Sequence, residues 1–256
     1  MITSNKLILT TKDVIPTNTY KNLISGKTSA VIIQNFLTKH RCKKIIRDIA
    51  IYEASSGCGI KEKIGESINS YVSNKSEYFT KTKISNYYLR KIFSYNDPRK
   101  IMFEKISKLL HGKIKFAREN SMPYSEGIIR FHIPGESVHI HRDNASFDAS
   151  EFSVSKLSGQ ISAILHLQSS ELGGELVIFD KFWNCHDECF RNQDFGYSDK
   201  IIKKISWSSI SCNQGDLVII NPKKYHLINM VRGKLKRITL GFFLGQESES
   251  NFHAWS

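Results

Sequence analysis

Three residues of this 256-residue chain have the types and spacing to hold a metal ion: His141 and Asp143, one residue apart within GIIRFHIPGESVHIHRD (127–143), and the distant His226. If that run is a strand, alternate side chains share a face, so His141 and Asp143 point the same way roughly 7 Å apart along the backbone. One imidazole and one carboxylate on a face, closed by a second imidazole, form a two-His-one-carboxylate triad. Such a triad grips Fe(II) on one side and leaves positions open for a co-substrate and oxygen. A lone His-x-Asp arises by chance, and each of the three residues taken singly reads more readily as structural. The weight comes from the downstream residues: GDLVII (215–220) as a turn entering a buried strand, His226 just after it, and Arg237 opening the apolar run ITLGFFL. An arginine opening a core strand needs a partner, because a buried unpaired guanidinium is costly. A dicarboxylate co-substrate beside the metal would supply one as a bidentate pair.

The elements that must position these residues change character along the chain. SAVIIQNFL (29–37) reads as a strand, and Thr38 as the N-cap of a helix with apolar positions 42, 45, 46, 49 and 50. Gly57, Gly59 and Gly65 break that pattern, and 55–90 is mixed. Asp97-Pro98 starts a second helix, PRKIMFEKISKLL. From Gly127 onward short strands take over: GIIRFHI, SVHIHRD, QISAILHLQ, GELVIFD, KKISWSS, GDLVII and RITLGFFLG, which favour a two-sheet sandwich or barrel. The polar stretch 181–200, carrying Trp183, Phe190, Phe195 and Tyr197, reads as a loop covering a pocket, and residues 246–256 as a frayed tail with Trp255 unexplained.

Composition sets the bounds. The length suits one domain with a sizeable core. No apolar run approaches the ~18–20 residues of a membrane helix, and the first twenty residues lack a signal-peptide core, so a cytoplasmic location is expected. Five unclustered cysteines fit reduced thiols better than a disulfide framework. The net charge of +13 reads as a solvated basic surface. No basic stripe interleaved with aromatics points to nucleic acid.

Together these features resemble the Fe(II)/2-oxoglutarate-dependent dioxygenases of the prolyl-4-hydroxylase-like branch. The resemblance is carried by His141-Arg142-Asp143, Leu172-Gly173-Gly174-Glu175-Leu176, GDLVII, and His226 followed by Arg237, over about residues 125 to 245, with Ala30 to Leu37 matching the family's N-terminal strand. It implies a mostly β fold with a helical N-terminal layer and a double-stranded β-helix (jelly roll, cupin-like) core. In that reading 1–256 is a single domain, 1–124 its supporting region and 125–246 the dioxygenase core. It further implies Fe(II) on His141, Asp143 and His226, and 2-oxoglutarate chelating the metal with its far carboxylate on Arg237. With O2 as oxidant, the products are succinate, CO2 and a hydroxylated substrate.

Two departures from the family pattern stand out. The family places its arginine ten residues after the distal histidine; here Lys236 is at ten and Arg237 at eleven, and the strand start R-x-x-L favours Arg237. Many members carry a tyrosine nine residues before the first ligand, where this chain has His132, a candidate for the same hydrogen bond to the co-substrate. The Gly-Gly-Glu-Leu run followed by Phe179-Asp180 and Trp183 is similar to members acting on small metabolites, halogenases included. The expected substrate is therefore an amino acid or derivative. The alternatives are a protein or peptide side-chain hydroxylase, or a non-catalytic jelly-roll binding protein. In related halogenases a small residue replaces the carboxylate ligand and frees a position for halide, so Asp143 favours hydroxylation. Among the remaining residues, His139 is the rival ligand and His166 can face either way. Cys185-His186-x-x-Cys189 is too small a set for zinc, and Arg130 points either outward or toward a substrate acid.

Overall fold

Apolar residues at every position of AVII (30–33) and LVII (217–220) mark strands covered on both faces. Both lie in the larger of the two main sheets in the computed structural model, which describes residues 8–11, 16, 18–56, 62–94 and 97–256. The strands are β1 (Ile8–Thr11), β2 (Ala30–Ile33), β3 (Lys63–Ile64), β4 (Lys113–Phe116), β5 (Ile128–His132), β6 (Val138–His141), β7 (Ser158–Gln168), β8 (Leu176–Phe182), β9 (Trp207–Ile210), β10 (Leu217–Ile220), β11 (Lys224–Ile228), β12 (Arg237–Ser248) and β13 (Asn251–Trp255). The large sheet runs β1-β2-β10-β7-β12. Along the far edge of β12, β5 pairs with Arg237–Gly241 and β13 with Phe243–Ser248. β3 extends the sheet from β5, and β4 extends it from β13. The smaller sheet has the order β9-β8-β11-β6.

Strand alternation then builds three apolar layers. Ala30, Ile32, Ile164, Val218 and Ile220 of the large sheet meet Leu176, Ile178, Ile210 and Ile228 of the small one, forming the interior of a sandwich. The opposite face of the large sheet, with Val31, Ile33, Leu217, Ile219, Ile129, Phe131 and Leu240, is covered by the helices α1 (Thr19–Ile24), α2 (Lys39–Ser56), α3 (Lys75–Ile92) and α4 (Pro98–Leu110). Each such side chain contributes about 1.5–3 kcal/mol on burial. The outer face of the small sheet buries Ile140, Val177, Phe179 and Tyr225 against Tyr197 and Ile201.

The helices form where the sequence signals lie. Thr38 Oγ1 accepts from the Arg41 amide at 3.3 Å, and Cys42, Ile45 and Ile49 form the buried stripe of α2, while Ala50 is exposed. Asp97 accepts from the Arg99 amide at 2.9 Å, with Pro98 in the first turn of α4.

Three expectations change. The mixed stretch 55–90 contains helix α3 (Lys75–Ile92), whose buried face includes Thr82, Ser85 and Asn86 as well as Tyr78, Phe79 and Leu89. Asn86 donates to the Tyr124 carbonyl (2.9 Å) and accepts from the Glu126 amide (2.8 Å), so polar residues occupy core positions and dilute the periodicity. Residues 246–256 are ordered: β13 completes the ladder between β12 and β4, and Trp255 is 1% exposed against Phe243. The 181–200 stretch contains two 3-10 turns, Cys185–Phe190 and Asp199–Ile202. Gly57, Gly59 and Cys58 lie outside the described residues.

Candidate functional site

His226 lies within β11, where the sequence places it just after a strand, and β11 is the neighbour of β6. His226 and His141 are cross-strand partners with ring centroids 4.1 Å apart. The next pair is Ile228 with Val138, so three steps on β6 oppose two on β11. This bulge breaks the alternation. Val138 and His141 both face the cavity, Ile140 packs outward, and His139 is exposed. His139 thereby loses its place as rival ligand, though its carbonyl takes the His141 Nδ1 at 2.8 Å. His226 repeats the device, with Nδ1 2.9 Å from the Lys224 carbonyl. A carbonyl can only accept, so each Nδ1 carries the proton and each Nε2 keeps a free lone pair.

Asp143 follows β6 and is tied down by its amide, which donates to the Pro222 carbonyl at 2.8 Å. Its Oδ2 lies 3.6 Å from His226 Nε2, and Oδ1 accepts from Asn69 Nδ2 at 3.1 Å. Ligand atoms of His141, Asp143 and His226 all fall within 4.8 Å of one another, and among the described residues no other cluster of His, Cys, Asp or Glu could hold a metal ion. Burial, with His226 adding to it, pushes His141 down to about 4. Burial alone would raise Asp143, but the neighbouring His226, His141 and Arg130 hold it at about 2. At neutral pH both groups are in the form that binds metal.

The opposite wall of the cavity is built by the large sheet. Arg237, at the start of β12, is 3% exposed and pairs in register with His132 of β5. Its Nη1 lies 3.5 Å from His132 Nδ1, its buried Nε has no partner, and among the described residues no carboxylate pairs with it. Burial lowers Arg237 to about 10, with Arg130 pushing the same way, so it stays charged. Burial, then the Arg237 and Arg130 charges, lower His132 to about 3, leaving a neutral ring. Lys236 is turned away, its Nζ 4.9 Å from the Phe131 ring on the other face of the sheet. An orphaned buried guanidinium facing a two-imidazole, one-carboxylate donor set fits a divalent metal chelated by a dicarboxylate. The triad comes from one sheet and Arg237 with His132 from the other.

The cavity between them has a volume of about 650 Å³ and is closed on one side by the 181–200 segment, through Arg191, Asp194, Phe195 and Tyr197. The Phe195 ring packs on His141 at 5.3 Å, and the Tyr197 amide donates to the Ile140 carbonyl at 2.8 Å. Arg142, between the two ligands of the His-x-Asp pair, fixes this segment. It is 6% exposed, pairs with Asp148 and with Glu188 (3.2 Å), and lies over the rings of Phe147, Trp183 and Tyr197. Glu188 also accepts from Tyr197 (2.6 Å) and Arg191 (3.0 Å), and these hydrogen bonds outweigh burial and hold it at about 2. Asn69 and Arg142 went unnoticed in the sequence. The position of Arg142 between two ligands was the available signal; Asn69 gave none.

His166 is buried outside the cavity lining, and burial holds it well below its usual pKa. Cys185 and Cys189 are exposed free thiols, as Cys42 and Cys212 are free. No helix of the described residues is long and apolar enough to cross a membrane.

Against known proteins, residues 9–256 match the family described as carrier-protein-independent halogenase WelO5. No curated protein sequence matches. Among solved structures, similarity extends to an N-substituted L-amino acid dioxygenase from Burkholderia ambifaria AMMD at 14% identity, covering 97% of each chain with a TM-score of 0.62. The same dioxygenase in complex with alpha-KG aligns at 16% identity over 93% of this chain and 90% of that one, with a TM-score of 0.59. HygX from Streptomyces hygroscopicus with nickel and 2-oxoglutarate bound aligns at 11% identity over 91% and 88%, with a TM-score of 0.56. These likenesses bear out the jelly-roll architecture.

Proposed function

The chain belongs to the carrier-protein-independent halogenase WelO5 family, within the Fe(II)/2-oxoglutarate oxygenases, and from that premise we propose that this enzyme hydroxylates an unactivated C–H bond of a small metabolite, an amino acid or derivative. The observation that carries the reading is the Asp143 carboxylate, set among the two imidazoles and held deprotonated. A halogenase of this kind needs a small residue there to open a position for halide, and this chain has a ligand instead. Solved neighbours that hold alpha-KG, or nickel and 2-oxoglutarate, support the choice of cofactors.

In this reading His141, Asp143 and His226 hold Fe(II), and Arg237 takes the far carboxylate of 2-oxoglutarate, with His132 beside it. With O2, this pair supplies oxidation of a C–H bond alongside conversion of 2-oxoglutarate to succinate and CO2. The residues contribute position and dryness. The Nδ1 contacts aim both Nε2 lone pairs inward. Asn69 holds one carboxylate oxygen of Asp143, which leaves the other to face His226 and the metal. Arg237 and His132 fix the distal end of the co-substrate, so its keto acid meets the triad in one orientation. The segment around Phe195 and Tyr197 shields the site from water.

The test is product analysis by mass spectrometry with Fe(II)-loaded protein, 2-oxoglutarate and O2, in the presence and absence of chloride and bromide. Oxygen-dependent hydroxylation unaffected by halide is expected. Sustained halogenation by the wild type would overturn the hydroxylase reading and place the chain with the chemistry for which its family is described.

A further inference from the structure

Arg237 is not the only guanidinium in the cavity. Ile129 and Phe131 of β5 point into the core under the helices, so the intervening Ile128, Arg130 and His132 face the cavity. Arg130 stands opposite Thr239 of β12 and Lys63 of β3, in the middle of the wall facing the triad. It is partly buried, and among the described residues it makes no hydrogen bond or ion pair. Asp143 is the one carboxylate whose charge reaches it, and Asp143 is committed to the metal site. The other two guanidiniums lining the cavity differ in this respect. Arg142 and Arg191 are neutralised by Asp148 and Glu188.

We propose that Arg130 is the seat of a carboxylate on the substrate, so that the enzyme selects small monocarboxylic acids, with N-acylated amino acids, which are monoanions, as the class. This rests on the oxygenase reading above and comes from charge and geometry. On the inner walls, two unpaired guanidiniums, a divalent metal, one carboxylate ligand and a dianionic co-substrate leave one positive charge over; Asp194, the remaining carboxylate of the lining, is solvent-exposed in the 181–200 segment, where water screens it. In a cavity walled by Ile128, Val138, Ile164, Leu176 and Ile228, that charge is balanced most favourably by a monoanion. The planar fork of arginine presents paired donors that match a carboxylate in bidentate fashion, which a single chloride does not exploit. Arg237 lies deep beside His132, while Arg130 is two positions further along the same strand face, so the two arginines can serve two different carboxylates. With the carboxylate anchored there, the carbon chain of the substrate lies between Arg130 and the triad, against Phe195.

The experiment is calorimetric titration of nickel-loaded protein, first with 2-oxoglutarate and then with pools of L-amino acids and N-acetyl-L-amino acids, each matched by a pool of the corresponding primary amides. Wild type, Arg130→Met and Arg130→Lys are compared, with circular dichroism as the check on folding. Wild type is expected to bind the N-acetyl acid pool about 10–100-fold more tightly than its amides, the ratio of a charge-assisted hydrogen bond. R130M should lose that preference, R130K should recover part of it, and the affinity for 2-oxoglutarate should stay within about twofold in both. Equal binding of acids and amides by the wild type overturns the proposal. So does a loss of 2-oxoglutarate affinity in R130M, which would make Arg130 the co-substrate's anchor, or a preference for acids surviving in R130M. Chloride displacing the acids from wild type but not changing R130M would reassign the seat to halide. Acid selectivity is read without turnover, so failure of the wild type to bind 2-oxoglutarate would instead strike the oxygenase reading itself.

Discussion

His141 and His226 are held by the same device: each imidazole presents Nδ1 to the carbonyl two residues earlier in its own strand, and the two strands pair at these positions. Backbone therefore sets the tautomer of both rings, and no side chain outside the pair is needed to aim them. His226→Ala or His141→Ala removes one of three donors. Iron-dependent succinate formation is expected to fall at least ~100-fold. A folded protein by circular dichroism with unchanged turnover would contradict these assignments.

Asp143→Gly should separate the two chemistries. Loss of hydroxylation, with retention of 2-oxoglutarate binding, is expected, since the two imidazoles stay in place on their strands. Anaerobic optical titration of the Fe(II)–2-oxoglutarate complex measures retention. A chloride-dependent change in that spectrum in D143G, absent from the wild type, would show that the carboxylate occupies the position halide takes in related enzymes.

In the proposed reading, Arg237→Met removes the charged partner of the co-substrate's far carboxylate. A charge-assisted hydrogen bond is worth about 1.5–3 kcal/mol, so KM for 2-oxoglutarate should rise about 10–100-fold. Any activity with 2-oxobutyrate, which lacks that carboxylate, should change little. Equal losses with both keto acids would move Arg237 out of this role.

The buried histidines set a pH dependence for the metal-free protein. His132 and His141 titrate near 3 and 4 in the fold because burial disfavours their charged forms, and near 6.5 when unfolded. Between those limits the unfolded chain binds more protons, so stability rises with pH. It is fully present above about 6.5 and is lost as pH falls toward 4 and then 3. Urea denaturation from pH 8 to 4 should show this slope, and His132→Gln should reduce it by about one proton per molecule. A pH-independent midpoint would refute the buried, neutral state of these rings.

Arg142 binds the 181–200 segment to the metal-bearing strand. Arg142→Met leaves Asp148 and Glu188 with the exposed Arg191 as their remaining cation and should cost about 3 kcal/mol in denaturant unfolding, the low end for breaking a buried ion pair. Glu188→Gln keeps the shape and should cost less, while exposing 181–200 to limited proteolysis. A protease-resistant segment in E188Q would place its anchorage elsewhere, in the Tyr197–Ile140 contact.

Much of this site was legible in the sequence because its parts sit on regular strands. The triad, Arg237 and His132 could be named from spacing and family resemblance, and the strand start favoured Arg237 over Lys236. What escaped has physical causes. The bulge in β6 reverses alternation between 138 and 141, so His139, which would share a face with His141 in a regular strand, does not in the fold. Helix α3 buries Thr82, Ser85 and Asn86, which erase the apolar period. β11 was hidden because it contains a lysine, and Lys224 is buried there while donating to Asp180 (3.0 Å) and to the Gly26 carbonyl (3.2 Å). Asn69 and the Arg142 network depend on contacts distant in sequence, which no local pattern records.

The division of labour between the sheets has a mechanical consequence. The triad belongs to the small sheet and its following turn, whereas both unpaired arginines belong to the large one. In the proposed reading, a keto diacid held by the triad at one end and by Arg237 at the other would act as a strut across the sandwich. Homologues one carbon shorter or longer would then have to be met by sliding one layer over the other, against the interlocked side chains between them. Selection for a five-carbon co-substrate would thus be a property of layer spacing as well as of any single contact.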